Sequence, residues 1–316
     1  MMRRALVLLL VVLAGCPEGG TKTPEDAYAE AITQSVVGTG IGLREVARPT
    51  VVTAAPALAE IVCALGGLPH VVGVSRYCVE PPALRALPQI GGAIDPNLEA
   101  IDALRPDVIL AQVKDERLFE LCEQRGYRLE HFRIETVAEA LAATTRLGEL
   151  LGRQDAARAE VARLEAAFGR ARAQRPARAP RTLVVFGHRP GDLAQVSAPG
   201  AGTFVSDLLA AAGGESCLGD LPGLAWHVLS LEAVLERAPE LIIELCPDPV
   251  DAAKAAALRA DWAVLGDVPA VRDGRIAIVS GSEVLIPGPR LDVLLGKLAR
   301  AVAGEVDIGV GGDDAR

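Results

Sequence analysis

Aromatic residues are scarce in this chain, with three Tyr, two Trp and five Phe among 316 residues. A ligand site built here rests on one or two flat side chains, not on an aromatic box. Only four His are present and they form no cluster, which argues against a bare zinc or manganese ion as ligand. No C-x-x-C pair occurs, and no Walker loop. The nearest approach to a nucleophile elbow, Gly73-Val74-Ser75-Arg76-Tyr77, lacks its final Gly. Beyond the first sixteen residues no apolar run is long enough to span a bilayer. Basic residues are outnumbered, 32 Lys and Arg against 41 Asp and Glu, for a net charge of −9. That balance argues against nucleic acid as a partner.

What is present begins at the N-terminus. Met1-Met2-Arg3-Arg4 is followed by an apolar run from Ala5 to Val12, then by Leu13-Ala14-Gly15-Cys16. The run fits a secretory h-region, and Leu-Ala-Gly-Cys resembles the bacterial lipobox, in which the Cys is lipidated. The expectation is a signal peptide over 1–15, a membrane anchor at Cys16 and a flexible tether over 16–37 rich in Pro, Gly, Thr and acid. Losing Arg3 and Arg4 with the signal takes the net charge from −9 to −11. Cys63, Cys78, Cys122, Cys217 and Cys246 remain, an odd number that leaves at least one thiol unpaired.

The body is punctuated by a duplicated unit. Asn97-Leu98-Glu99-Ala100-Ile101 reads as a capped helix stopped at Arg105-Pro106 and followed by the strand Val108-Ile109-Leu110. The design returns 133 residues later as Ser230-Leu231-Glu232-Ala233-Val234, stopped before Pro239 and followed by Leu241-Ile242-Ile243. Around each copy short apolar strands alternate with helices, which predicts parallel sheets covered on both faces. An N-terminal lobe is expected over 38–135, with a small hairpin possible over 38–46 and strands near 51–53, 71–74 and 127–132. A second lobe is expected over 180–303, with a strand from Leu193 to Ser197 and a loop from Leu221 to Val228 that carries Trp226-His227. Residues 304–316, rich in Gly and Asp, read as a disordered tail.

The pattern breaks between the lobes. Val137 to Leu151 reads as one helix and Asp155 to Ala173 as another, longer one with an apolar stripe at Val161, Leu164 and Phe168. Connecting helices over 136–175 thus predict a rod between two lobes. The fold expected from this pattern is α/β, two lobes with central parallel sheets joined by one long helix.

With those residues placed, the chain resembles the helical-backbone class of periplasmic binding proteins, the capturing subunits of ABC importers, and among them the vitamin B12, iron-siderophore and haem binders. The resemblance rests on the opening strand and helix Val51 to Leu65 with Glu60 inside it, and on Val71 to Ser75 before Pro81-Pro82. It rests further on the two Leu-Glu helices, Trp226 ahead of the second, and Pro287 to Arg290 before the last helix. It implies two Rossmann-like lobes joined by a single long backbone helix with a ligand cleft between them, and a cobalt or iron chelate as cargo, cobalamin first, with haem or a ferric siderophore as the alternative. It also implies a permease dimer with its ATPase as partner, docking through Glu99 and Glu232, where carboxylates meet arginine pockets. No catalysis is implied, and a monomer is expected. An exported enzyme and a tethered sensor are the readings from other classes.

Tyr77 and Trp226 are the candidate ligand-stacking side chains, each in a loop ahead of a Leu-Glu helix. His188, His227 and Arg189 lie in loops of the second lobe's expected cleft face, and His188, His227 or Tyr77 could be axial ligands. For each there is a plainer account: a loop anchor for Tyr77, core packing for Trp226, polar loop residues for the two His, and helix-dipole carboxylates for Glu99 and Glu232. His70 and His131 are placed at strand edges away from the cleft, Cys78 is a weaker soft-ligand candidate, and Trp262 is expected in the core.

Overall fold

Val51–Thr53 (β1) is a fully buried strand, and Pro56–Ala64 (α1) follows with Pro at its first position, where the missing N–H costs nothing. These elements come from a computed structural model, which describes residues 49–221 and 226–312. The signal peptide, Cys16, the tether and the hairpin expected over 38–46 lie outside the described residues. Val71–Val74 (β2), Leu98–Leu104 (α2), Val108–Ala111 (β3), Glu116–Arg125 (α3) and Arg128–His131 (β4) complete the first lobe. Its sheet runs β2-β1-β3-β4, with every pair parallel.

Val137–Leu150 (α4) is entered through a reciprocal capping box, Thr136 on the Glu139 amide and the Glu139 carboxylate on the Thr136 amide. Gln154–Ala173 (α5) is the long helix, ~30 Å from its 20 residues. The pair turn at Gly152 and touch so closely that a Cβ on Gly148 would lie 2.4 Å from that of Ala157. Leu164 and Phe168 are buried as the stripe predicts, and Val161 packs half-buried beside them.

The second lobe contains Arg181–Phe186 (β5), Gln195–Pro199 (β6), Phe204–Ala212 (α6), Glu215–Ser216 (β7), Trp226–Ser230 (β8) and Leu231–Arg237 (α7). Leu241–Cys246 (β9), Ala252–Asp261 (α8), Pro269–Arg272 (α9), Ile276–Ser280 (β10), Leu291–Val302 (α10) and Asp307–Ile308 (β11) follow. The main sheet is ordered β11-β10-β9-β5-β7, again all parallel.

Two expectations are corrected here. The loop expected over Leu221 to Val228 becomes strand from Trp226 onward, because β8 pairs antiparallel with β6 as a two-stranded ribbon; 222–225 lie outside the described residues. The tail expected to be disordered from 304 instead adds β11 to the sheet edge and buries Ile308 completely; 313–316 lie outside the described residues. One apolar side chain and one parallel pairing suffice to hold it.

The lobes share a core. A single cluster of buried side chains runs from Leu58 and Val108 through Leu147, Leu164 and Phe168 to Leu208, Ile243 and Leu294. The long helix α5 lies against α4 on one side and α6 and α10 on the other. A rod embedded in both lobes this way resists large opening motions.

Candidate functional site

In open parallel sheets, ligands gather beyond the carboxyl ends of the strands. The loops at that end are Ser75–Pro81 and 112–115 and 132–136 in the first lobe, and 187–191, 247–251 and 281–290 in the second. Tyr77 stands 59% exposed on the first of these, with the Arg76 guanidinium 5.4 Å over its ring. Arg76 also pairs with Asp95, so its charge is already met. Gly92 gives the tyrosine ring room, since a Cβ there would come within 3.1 Å of it.

Trp226 of the other lobe is 46% exposed, with its ring 4.7 Å from that of Phe186 at the carboxyl end of β5. Nothing in the sequence singles out Phe186, which closes the apolar run Leu183-Val184-Val185-Phe186. Because side chains alternate along β8, Trp226 and Val228 lie exposed on one face while His227 and Leu229 turn inward. Adjacent in sequence, Trp226 and His227 therefore cannot both face the cargo. Val79 and Ile94 of the first lobe and Leu285 of the second add exposed apolar surface to the two rims.

His188 does not present a free nitrogen. Its Nε2 lies 3.1 Å from Asp261 Oδ2 and its Nδ1 2.9 Å from Glu244 Oε1, the latter close enough to pair but out of line for a hydrogen bond. Glu244 is fully buried and also accepts from the Trp262 indole N–H at 3.1 Å and the His188 amide at 3.1 Å. Asp261 accepts from the Gly191 amide at 2.6 Å. Burial lowers the imidazole pKa, but the two carboxylates outweigh it and the net shift is upward. His188, one of the possible axial ligands, instead has both ring nitrogens against carboxylates, a contact that fixes the 187–191 loop. Arg189 on that loop is exposed, and its guanidinium meets no carboxylate among the described residues. Trp262 is core, as expected.

Cys78 is buried, and that burial pushes its thiol up to about 12, so it offers no thiolate to a metal. His70 binds the Pro49 carbonyl at the amino end of β2, away from the cleft. His131, by contrast, ends β4 and so sits at the carboxyl edge, correcting its expected place.

The duplicated unit is reproduced in detail. Asn97 Oδ1 accepts from the Ala100 amide at 3.0 Å, and Ser230 Oγ from the Ala233 amide at 3.3 Å. Each helix ends in a left-handed residue that is not glycine, Arg105 at φ 46 and Ala238 at φ 43, a strain of roughly 1–2 kcal/mol each. Each is then tied to its sheet by a carboxylate: Asp107 Oδ2 accepts from the Thr50 amide at 2.8 Å, and Glu240 Oε2 from the Arg181 amide at 3.0 Å. Both helices run back from the carboxyl side of their sheets, so their first turns, with Glu99 and Glu232 exposed, lie at the cleft end of each lobe. The Glu232 carboxyl is held below its usual range by its own backbone amide and by the Ser230 hydroxyl.

Two α/β lobes joined by an embedded helix, each with an exposed aromatic side chain near the carboxyl end of its sheet, have the architecture of a two-lobed receptor. The chain belongs to the periplasmic binding protein family, whose sequence profile matches residues 51–281. It is thus an extracytoplasmic solute-capturing protein of the kind that works with an ABC transporter permease. It is 31% identical over 209 residues to the vitamin B12-binding protein of Salmonella choleraesuis, covering 62% of this chain and 72% of that one. A periplasmic heme binding protein from Pseudomonas aeruginosa shares the fold with a TM-score of 0.69 at 26% identity, over 80% of this chain and 92% of that one. The periplasmic vitamin B12 binding protein of Vibrio cholerae, at 19% identity, matches in fold with a TM-score of 0.68 over 81% and 97%.

Proposed function

We propose that this protein captures a metal-centred macrocyclic chelate, a corrinoid, between Tyr77 and Trp226 and delivers it to an ABC permease dimer driven by its ATPase. The observation that carries the reading is the pair of half-exposed aromatic side chains, one at the carboxyl end of each lobe, flanked by exposed Val79, Ile94, Val228 and Leu285. A soluble receptor leaves such surface open only where something flat and partly apolar covers it. Similarity to a vitamin B12-binding protein supports the corrin ring over other flat chelates. Glu99 and Glu232 dock the loaded receptor, one carboxylate per lobe. Cys16 tethers the body to the membrane through lipid, and the working unit is a monomer.

Haem is the second reading, favoured by one feature: the Tyr77 phenol is exposed in the cleft, where it can ligate ferric iron. Titration of the purified protein with cyanocobalamin, haemin and ferrichrome, followed by tryptophan fluorescence and visible absorption, separates the readings. Saturable binding of cyanocobalamin alone is expected. Binding of haemin with a tyrosinate-iron spectrum moves the assignment to haem, and no binding across the panel ends it.

A further inference from the structure

The stretch 75–96 carries four charged side chains, Arg76, Glu80, Arg85 and Asp95, and all four are paired within it. Arg76 meets Asp95, and Arg85 Nη2 lies 3.0 Å from Glu80 Oε1. The segment that presents Tyr77 is therefore neutral by pairing, with Val79 and Ile94 exposed along it.

The Arg76–Asp95 pair joins two loops that the backbone already holds together. The Arg76 amide donates to the Gly91 carbonyl at 2.9 Å, and Gly91 and Pro96 bridge antiparallel at the base of the turn that carries Asp95. Gly92 sits where the partners converge. A Cβ there would collide with Asp95 Oδ1 and stand 3.1 Å from both Arg76 Nη2 and Tyr77 Cε2. The guanidinium in turn lies 5.4 Å over the Tyr77 ring. Carboxylate, guanidinium and ring are thus packed around one point, and the ring remains exposed.

A guanidinium beside an exposed aromatic ring is a ready partner for the carboxylate edge of a flat ligand, since it can hold that edge while the ring stacks. With Asp95 in place, the guanidinium is already taken. We propose that Asp95 is a positioning residue that sets specificity: it holds Arg76 on Tyr77 and neutralises its charge, so that the first lobe offers a fixed, neutral stacking surface and favours an uncharged cargo edge over a carboxylate-bearing one. The inference rests on the reading of Tyr77 as a cargo-stacking side chain, and adds to it the charge that the cargo presents there. Arg189, on the second lobe, stands outside this pairing and is unchanged in every variant below.

The test uses a small pair of probes and a large one. Benzoate and benzamide are titrated into the full chain carrying ring-labelled tyrosine. The Tyr77 resonance, assigned by its loss in Tyr77→Phe, is followed by NMR. In wild type the two probes are expected to act alike. In Asp95→Asn, an isosteric change at an exposed side chain, benzoate is expected to bind about tenfold more tightly than benzamide, the scale of one charge-assisted hydrogen bond. In the double variant Asp95→Asn with Arg76→Met that preference is expected to vanish. A benzoate preference already present in wild type, or none in Asp95→Asn, overturns the proposal. Haemin and cyanocobalamin make the same comparison at cargo size, since haemin carries carboxylates at its edge and cyanocobalamin carries amides there. The ratio of haemin to cyanocobalamin affinity is expected to rise about tenfold in Asp95→Asn and to return to the wild-type value in the double variant. A change of both affinities by one factor marks a structural role and overturns the specificity assignment. Binding of neither chelate removes the proposed cargo, and the benzoate comparison then decides this inference alone.

Discussion

Glu60 and Arg290, 230 positions apart, form a two-pronged ion pair across the junction of the lobes. Arg290 Nη2 lies 2.6 Å from Glu60 Oε1 and Nε 2.9 Å from Oε2. The same guanidinium donates to Ser282 Oγ at 2.7 Å and approaches Glu283, which in turn receives Lys297 at 2.9 Å. From the long helix, Arg163 reaches Asp292 and the Pro289 carbonyl, each at 2.5 Å. The loop 281–290, which carries the exposed Leu285, is thereby tied at once to the first lobe and to the connecting helix. One charged network thus joins the first lobe, the connecting helix and the start of the last helix.

Glu60→Gln removes the carboxylate from a partly buried guanidinium, and Arg290→Met leaves the buried carboxylate alone in the junction. Each is expected to cost about 3 kcal/mol of unfolding free energy, the lower end for a broken buried pair because 25% of the Arg290 side chain is exposed. The double variant is expected to lose clearly less than the sum, since neither charge is then stranded. Urea unfolding of the four proteins measures this, and strictly additive losses would show that the two side chains do not act as a pair.

The clamp on His188 predicts a pH dependence with a definite sign. A histidine whose pKa is raised on folding contributes stability in full below its unfolded value of about 6.5, and loses that contribution as pH climbs through the native value. Thermal midpoints are therefore expected to decline as pH rises from about 6 into the alkaline range. In His188→Gln the decline flattens, and stability at acid pH drops because Glu244 and Asp261 lose their shared cation. A variant that keeps the wild-type slope would assign the dependence elsewhere.

Much of this architecture was legible along the chain, and the parts that were not share a cause. Short apolar runs bounded by caps and prolines mark β1, β3, β9 and both Leu-Glu helices, because their determinants lie within a few residues of each other. Glu60 reads as an ordinary helix residue because its partner is 230 positions away. His188 reads as a loop ligand because the carboxylates that engage it stand 56 and 73 positions on. β8 was hidden for another reason: Trp226 and Val228 are exposed while Leu229 faces the core, so apolar residues occupy both sides and the alternation that marks a half-buried strand is lost. His131 was misplaced because a strand's last residue cannot be assigned to the ligand edge until the strand's end is known.

Trp226 is expected to supply most of the signal and much of the energy when cargo binds. Trp262 is fully buried against Glu244, so quenching by a bound chelate acts first on Trp226. Trp226→Phe is expected to lose most of the cargo-induced quenching while retaining affinity within a few-fold. Trp226→Ala also strips the partner from Phe186 and is expected to weaken binding by about 2 kcal/mol, roughly thirtyfold. Calorimetry reads the affinity independently of fluorescence. Equal affinity in wild type and Trp226→Ala would move the cargo away from β8.

Glu99 and Glu232 can be tested without touching the cleft. Both are exposed in the first turn of seven-residue helices, and neither helix depends on its glutamate for capping, which Asn97 and Ser230 provide. Substitution by Ala is therefore expected to leave folding and cargo affinity unchanged. In vesicles carrying the permease and its ATPase, each single variant is expected to need a higher receptor concentration for half-maximal uptake, about tenfold for one lost charge-assisted contact. The double variant is expected to fail to stimulate uptake, because neither lobe is then held. One carboxylate per lobe also makes the contact sensitive to lobe spacing, so Glu60→Gln, far from either helix, is expected to weaken docking as well. If it stabilises docking instead, or leaves it unchanged while unfolding more readily, the Glu60–Arg290 pair supports the fold without setting the distance that the permease reads.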